Sequence, residues 1–186
     1  MQINKTMLTD CYEIVPRVFT DKRGTFVKTF HHDSFVSNQL ETQFTEQYYS
    51  FSHQGVLRGL HFQNPPMHHV KLVYCIMGEV LDAVVDLRNG SPTYGQNQLF
   101  KLSAEKKNLI YIPAGMAHGF YVTSENAVVV CNLSTVYSPE YDSGIRWDSL
   151  GILWPDQTPI LSQKDKELPL FTEFSSPFRY EEADGL

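Results

Sequence analysis

Apolar and polar positions alternate along most of this chain with a period of two, the spacing of strands that bury one face. The clearest stretch is 79–87, where Val80, Asp82, Val84 and Asp86 share one face and Leu81, Ala83, Val85 and Leu87 the other. Further strands are predicted at 12–15, 18–19, 25–30, 47–52, 56–63, 70–76, 96–102, 109–112 and 127–133. The last is apolar on both faces and is expected to be buried. On 25–30, Phe26, Lys28 and Phe30 are expected to share a face. Turn chemistry separates the strands at Asp21-Lys22-Arg23-Gly24, Pro65-Pro66, and Asn89-Gly90-Ser91-Pro92. Helical spacing is scarce. A short helix is predicted from about 32, with Asp33 or Ser34 as its N-cap, and another near 162–167. Many short strands at regular spacing predict an all-β sandwich or barrel, with short helices at the C-terminal end.

One strand carries unusual chemistry. In 56–63, regular alternation puts Leu57, Gly59, His61 and Gln63 on one face and Arg58, Leu60 and Phe62 on the other. A histidine on an apolar wall is either a satisfied core residue or a proton-transfer group, because its pKa lies near neutrality. Lys71 follows within an apolar run. If it stays inward, it fixes a positive charge in the interior. Asp82, between two valines on its face, is either solvated or needs a partner, for which His61, His118 and Lys71 are the candidates. Pro113-Ala114-Gly115-Met116-Ala117-His118 matches the second half of a cupin signature. The first half lacks the paired histidines and the acid that a metal centre needs, so a metal cupin is the lesser reading and no metal is expected.

Length and composition narrow the classes. The chain of 186 residues fits one domain over 1–186. Its 12 Phe and 10 Tyr favour strands. A formal net charge of -6 argues against coating nucleic acid. Cys11, Cys75 and Cys131 show no paired spacing, which suggests a reducing compartment. They are expected to pack as small hydrophobes. With no signal-like segment and no long apolar run, a cytoplasmic protein without membrane attachment is expected.

Several ordered motifs resemble the dTDP-4-dehydrorhamnose 3,5-epimerase family. They are Arg58-Gly59-Leu60-His61-Phe62-Gln63, Lys71-Leu72-Val73, Gly78-Glu79-Val80, Gly90-Ser91-Pro92-Thr93-Tyr94-Gly95 and Ile112-Pro113 through Phe120. Tyr137-Ser138-Pro139-Glu140, Gly144-Ile145-Arg146-Trp147 and the segment from Leu161 to Asp165 extend the match. The resemblance implies a cupin-type jelly-roll β-sandwich acting as a homodimer without cofactor. It implies a nucleotide-linked 4-keto-6-deoxy sugar as substrate, inverted at C3, C5 or both, for surface polysaccharide. His61 is then the base, oriented by Asp165, and Lys71 faces the C4 oxyanion. Arg58 and His118 lie near the sugar or diphosphate, and Gln63, Asp82 and Tyr137 belong to the same substrate region. Arg23 and Phe26 are expected to reach the nucleotide across the dimer.

The chain departs from that family in two places. The family's acid, a Tyr, is replaced by Cys131, with Tyr137, Tyr74 or water as substitutes. Single-carbon epimerisation is therefore an alternative, as is a non-catalytic sugar-nucleotide-binding cupin. A ketoisomerase on the same scaffold is a further rival. On the nucleotide side, Lys28 stands where the family has Glu, and Glu46 and Tyr48 where it has Gln and Asn. Lys28 can only donate a hydrogen bond, which favours CDP, then GDP, over dTDP.

Overall fold

In the computed structural model the described residues are 1–181, so 182–186 of the expected domain lie outside them. The first strands are β1 (Gln2–Lys5), β2 (Tyr12–Val15), β3 (Arg17–Asp21) and β4 (Gly24–Lys28), followed by α1 (His32–Val36). Then come β5 (Glu46–His53), β6 (Leu57–Gln63), β7 (Lys71–Met77), β8 (Glu79–Asp86) and β9 (Asn97–Ser103). The last strands are β10 (Leu109–Ile112), β11 (Met116–Val122), β12 (Asn126–Leu133) and β13 (Asp142–Gly144). α2 (Gln163–Glu167) and a 3-10 turn at Phe171–Glu173 end the sequence of elements.

Two antiparallel sheets face each other. One has the order β1-β2-β10-β7-β12-β5, the other β13-β6-β11-β8-β9. This open sandwich is a cupin-type jelly roll. The alternation read from the sequence sorts its cores. Val80 and Val84 of β8 meet Val73 of β7 and Val129 of β12 between the sheets, while Ala83, Val85 and Leu87 face outward under Ile152, Trp154 and Phe178. That outer layer is the C-terminal segment folded back on the five-stranded sheet. On the other outer face, α1 lays Phe35 against Leu72, Leu109 and Tyr111. All three cysteines pack in the core between the sheets.

Some local expectations are corrected. The N-cap of α1 is His31, with no side-chain cap bond, not Asp33 or Ser34. Asp33 instead lies in the first turn, where an acid suits the helix dipole. β4 ends at Lys28, so Phe30 leaves the strand and stacks edge-on to Phe35, centroids 4.8 Å apart. β13 was not predicted; three residues are too short for a pattern. Cys75 and Cys11 behave as the expected hydrophobes, with burial pushing the Cys11 thiol up to about 12. Among the described residues no helix is long and apolar enough to cross a membrane.

Candidate active site

A cleft of about 510 Å³ opens between the sheets, with β6 and β11 as one wall and β5, β7 and β12 as the other. Residues Ile160 to Asp165 form a third side. A β-bulge shapes the first wall. His118 and Phe120 of β11, two residues apart, pair with His61 and Arg58 of β6, three residues apart. The extra residue reverses the alternation. Arg58 and His61 therefore both face the cleft, while Leu57, Leu60 and Phe62 pack in the outer core. This corrects the regular pattern, which put Leu57 with His61. Gly59 makes the bulge at φ +137°, and a Cβ there would lie 2.5 Å from Gly119 Cα.

His61 Nε2 lies 2.5 Å from Asp165 Oδ1. Asp165 is buried in α2, whose N-cap Ser162 accepts the Asp165 backbone N–H through Oγ at 3.1 Å. Burial alone would raise the Asp165 carboxyl. Hydrogen bonds from His61, Ser162 and the Gly59 backbone outweigh it and hold the pKa below the ordinary range. A carboxylate there makes Nε2 the donor and leaves Nδ1 with its lone pair.

Lys71 is 6% exposed and points inward, its Nζ donating to the His61 carbonyl at 3.1 Å. Burial lowers its pKa, countered by the nearby Cys131, Asp82 and Asp142. His118 Nε2 lies 2.7 Å from Asp82 Oδ2. Asp82 is fully buried, which rules out the solvated reading, and its Oδ1 has no hydrogen-bond partner among the described residues. Burial pushes the Asp82 carboxyl up and the His118 imidazole down, so each resists its charged form. Arg58 is steadied by its Nε–H, which donates to Ser52 Oγ on β5 at 3.0 Å.

On the facing wall, β5 and β12 pair with Tyr48 opposite Cys131. Along β5 the even positions Tyr48 and Ser50 line the cleft, and the odd positions Tyr49 and Phe51 are exposed. The Tyr48 and Cys131 side chains are neighbours on the cleft face, each contributing to the other's pKa shift. Burial pushes the Cys131 thiol up to about 11. Burial of the hydroxyl end also raises the Tyr48 pKa, although the residue as a whole is 46% exposed.

A second cavity of about 400 Å³ adjoins the first and shares Tyr48, His61, Lys71 and Lys164 with it. Gln63, Glu46 and Tyr137 line it, but they mainly hold one another's segments. Gln63 Oε1 accepts the Ser138 N–H at 2.6 Å and its amide donates to Met67 O at 2.7 Å. Glu46 Oε2 accepts the Tyr137 N–H at 2.6 Å, and the Tyr137 hydroxyl donates to Asp142 Oδ2 at 3.0 Å. His69 in this cavity is pushed down to about 3, by burial first and then by Lys71.

Arg23, Phe26 and Lys28 stand apart on the exposed β3–β4 hairpin. Arg23 is paired with Asp21 at 2.6 Å and shares a shallow cavity with Phe26. Lys28 lines another, beside Arg17 and His31. Within one chain none of the three lines the cleft. Among the described residues no group of three or more metal-ligating side chains is placed to hold an ion. Sequence reasoning missed Lys164, which lines both cavities and pairs with Asp142. It sits in the Leu161 to Asp165 motif, but spacing alone does not show its direction.

The sequence model of the dTDP-4-dehydrorhamnose 3,5-epimerase family matches residues 5–173. A curated dTDP-4-dehydrorhamnose 3,5-epimerase from Methanothermobacter thermautotrophicus is 44% identical over 87% of this chain and 90% of its own. A dTDP-4-dehydrorhamnose 3-epimerase from Streptomyces niveus is 34% identical over 93% of this chain and 85% of its own. Among solved structures, the dTDP-6-deoxy-D-glucose-3,5-epimerase of Legionella pneumophila, in complex with dTDP-4-keto-L-rhamnose, superposes with a TM-score of 0.92. It is 35% identical and covers 97% of this chain and 99% of its own.

Proposed function

The chain belongs to the dTDP-4-dehydrorhamnose 3,5-epimerase family, and from that premise we propose how it inverts its sugar. It is a sugar-nucleotide epimerase of deoxysugar biosynthesis. Its substrate, on this reading, is a nucleotide-linked 4-keto-6-deoxy sugar destined for surface polysaccharide, made in the cytoplasm. The ketone at C4 acidifies the C–H bonds at C3 and C5, so the chemistry calls for no cofactor.

The observation that carries the reading is His61, held by buried Asp165 at 2.5 Å and facing a cleft that contains buried Lys71. Nδ1 of His61 takes the proton. The electron pair moves to the C4 oxygen, where the Lys71 ammonium stabilises it. One such oxyanion donor contributes roughly 2.7–4 kcal/mol to the transition state, and a placed base roughly 10²–10⁴-fold in rate. Arg58, with His118 beside it, holds the diphosphate or sugar. Reprotonation on the far face inverts the carbon, and the carbonyl re-forms.

A homodimer completes the nucleotide end. In support, the β3–β4 hairpin exposes Phe19 and Phe26, and β5 exposes Tyr49 and Phe51, at 49–72%. Arg23, Phe26 and Lys28 of one protomer would then serve the other's cleft. The relatives are named for dTDP, whereas Lys28, a donor only, fits the acceptor N3 of cytosine better. The test offers the dTDP-, CDP- and GDP-linked 4-keto-6-deoxyglucoses and follows epimer formation by NMR, with competition by the free nucleotides. Better displacement by dTDP than by CDP would sink the Lys28 argument. A second reading, inversion at one carbon only, is favoured by Cys131 and by the Streptomyces niveus relative named as a 3-epimerase. Product stereochemistry decides between them.

A further inference from the structure

Inversion needs two groups on opposite sides of the sugar ring: one removes a proton and the other returns one. The remover stands on β6. The returner must stand on the facing wall, within reach of the same carbon. Cys131 lines that wall but is 2% exposed, and its thiol is short. Tyr74 lies among the residues of the outer core on the far face of its sheet, away from the cleft. The Tyr137 hydroxyl is committed to Asp142 at 3.0 Å. What remains is Tyr48, the cross-strand partner of Cys131, lining the cleft with His61 and Lys71.

We propose that Tyr48 is the acid that protonates the enolate carbon on the face opposite His61. The proposal rests on the epimerase reading above. Cys131, directly opposite Tyr48 on the neighbouring strand and lining the same cleft, is then a positioning residue for the phenol. A phenol one strand over reaches from β5 to a place that a thiol on β12 does not. The proton balance closes. His61 accepts the proton from C3 or C5, and the electron pair moves to the C4 oxygen beside Lys71. As the carbonyl re-forms, the pair returns through carbon to take the Tyr48 O–H proton. The phenolate recovers a proton from water, and His61 releases its own to water. The desolvated phenol stays protonated at neutral pH, and an enolate carbon is far more basic than a phenolate. Arg58 and Lys71, in the same cleft, stabilise the phenolate while it lasts.

The test separates proton removal from proton return. Wild type, Tyr48→Phe and Cys131→Ala are incubated in D2O with whichever 4-keto-6-deoxyglucose nucleotide wild type accepts. NMR reads deuterium gained with retention and with inversion. Tyr48→Phe keeps His61-driven deuterium uptake with retained configuration and loses inversion by about 10²-fold or more. Cys131→Ala still inverts, slowed by less than about tenfold. Wild-type inversion by both Tyr48→Phe and Cys131→Ala would overturn the proposal and make water the acid. Inversion lost in Cys131→Ala but kept in Tyr48→Phe would make the thiol the acid. Loss of both uptake and inversion in a folded Tyr48→Phe would make Tyr48 a binding residue instead. Absence of uptake by wild type with every nucleotide would overturn the epimerase reading itself, an outcome distinct from the other three.

Discussion

The two walls of the cleft differ in how they are held. On the β6–β11 wall each imidazole has a buried carboxyl partner. His61 has Asp165 at 2.5 Å, and His118 has Asp82 at 2.7 Å. For His61, the Asp165 carboxylate fixes which nitrogen faces the cleft. On the facing wall, Tyr48 of β5 and Cys131 of β12 stand opposite each other, with the Lys71 ammonium of β7 acting on the thiol. The phenol and the thiol are neutral, and burial keeps both protonated. On the proposed mechanism the first wall accepts a proton and the second gives one. The difference teaches that a base needs a charged orienting partner, whereas an acid of high pKa needs only a desolvated place.

The strongest way to break this contrast is to remove the base. His61→Asn should lower epimer formation by roughly 10²–10⁴-fold, measured by NMR of the sugar product. Asp165→Asn should approach that loss, because an amide that donates to Nε2 moves the ring proton to Nδ1. Lys71→Met comes next. Losing one oxyanion donor costs roughly 10²–10³-fold in kcat, with little change in KM, because the charge it stabilises develops only in the transition state.

The smallest effect is on stability. The Asp165 carboxyl is held below its usual range by its hydrogen bonds, so the folded state binds its proton later than the unfolded state. That contribution is full above about pH 4, the unfolded carboxylate range, and is lost as pH falls through the folded pKa. Melting curves of wild type and Asp165→Asn should therefore converge as pH drops below about 4. A gap that widened on acidification would contradict the hydrogen bonding assigned to Asp165.

Much of this arrangement was legible in the chain. Alternation in 79–87 sorted Val80 and Val84 from Ala83 and Val85 into the two cores they occupy. The motif residues His61, Lys71, His118 and Asp165 do meet in one cleft, apart from Asp82, which backs His118 from beneath. What period-two reading lost was the bulge. Gly59 inside a strand was the available signal, but only the register against β11 shows that Arg58 and His61 share a face. Tyr48 was named from the sequence only as a nucleotide-side residue, and its place beside Cys131 escaped for a related reason. Its importance comes from the β5–β12 register that sets it beside Cys131, a relation between strands 83 residues apart that alternation within one strand does not encode. The hairpin residues Arg23, Phe26 and Lys28 line cavities of their own, apart from the cleft.

The most direct test of the account is deuterium uptake at C3 and C5 in D2O, comparing wild type with His61→Asn. The account predicts uptake by wild type at the carbons it inverts and none above background in His61→Asn. Equal uptake by the two proteins, or none by wild type, would contradict the assignment of His61 as the base.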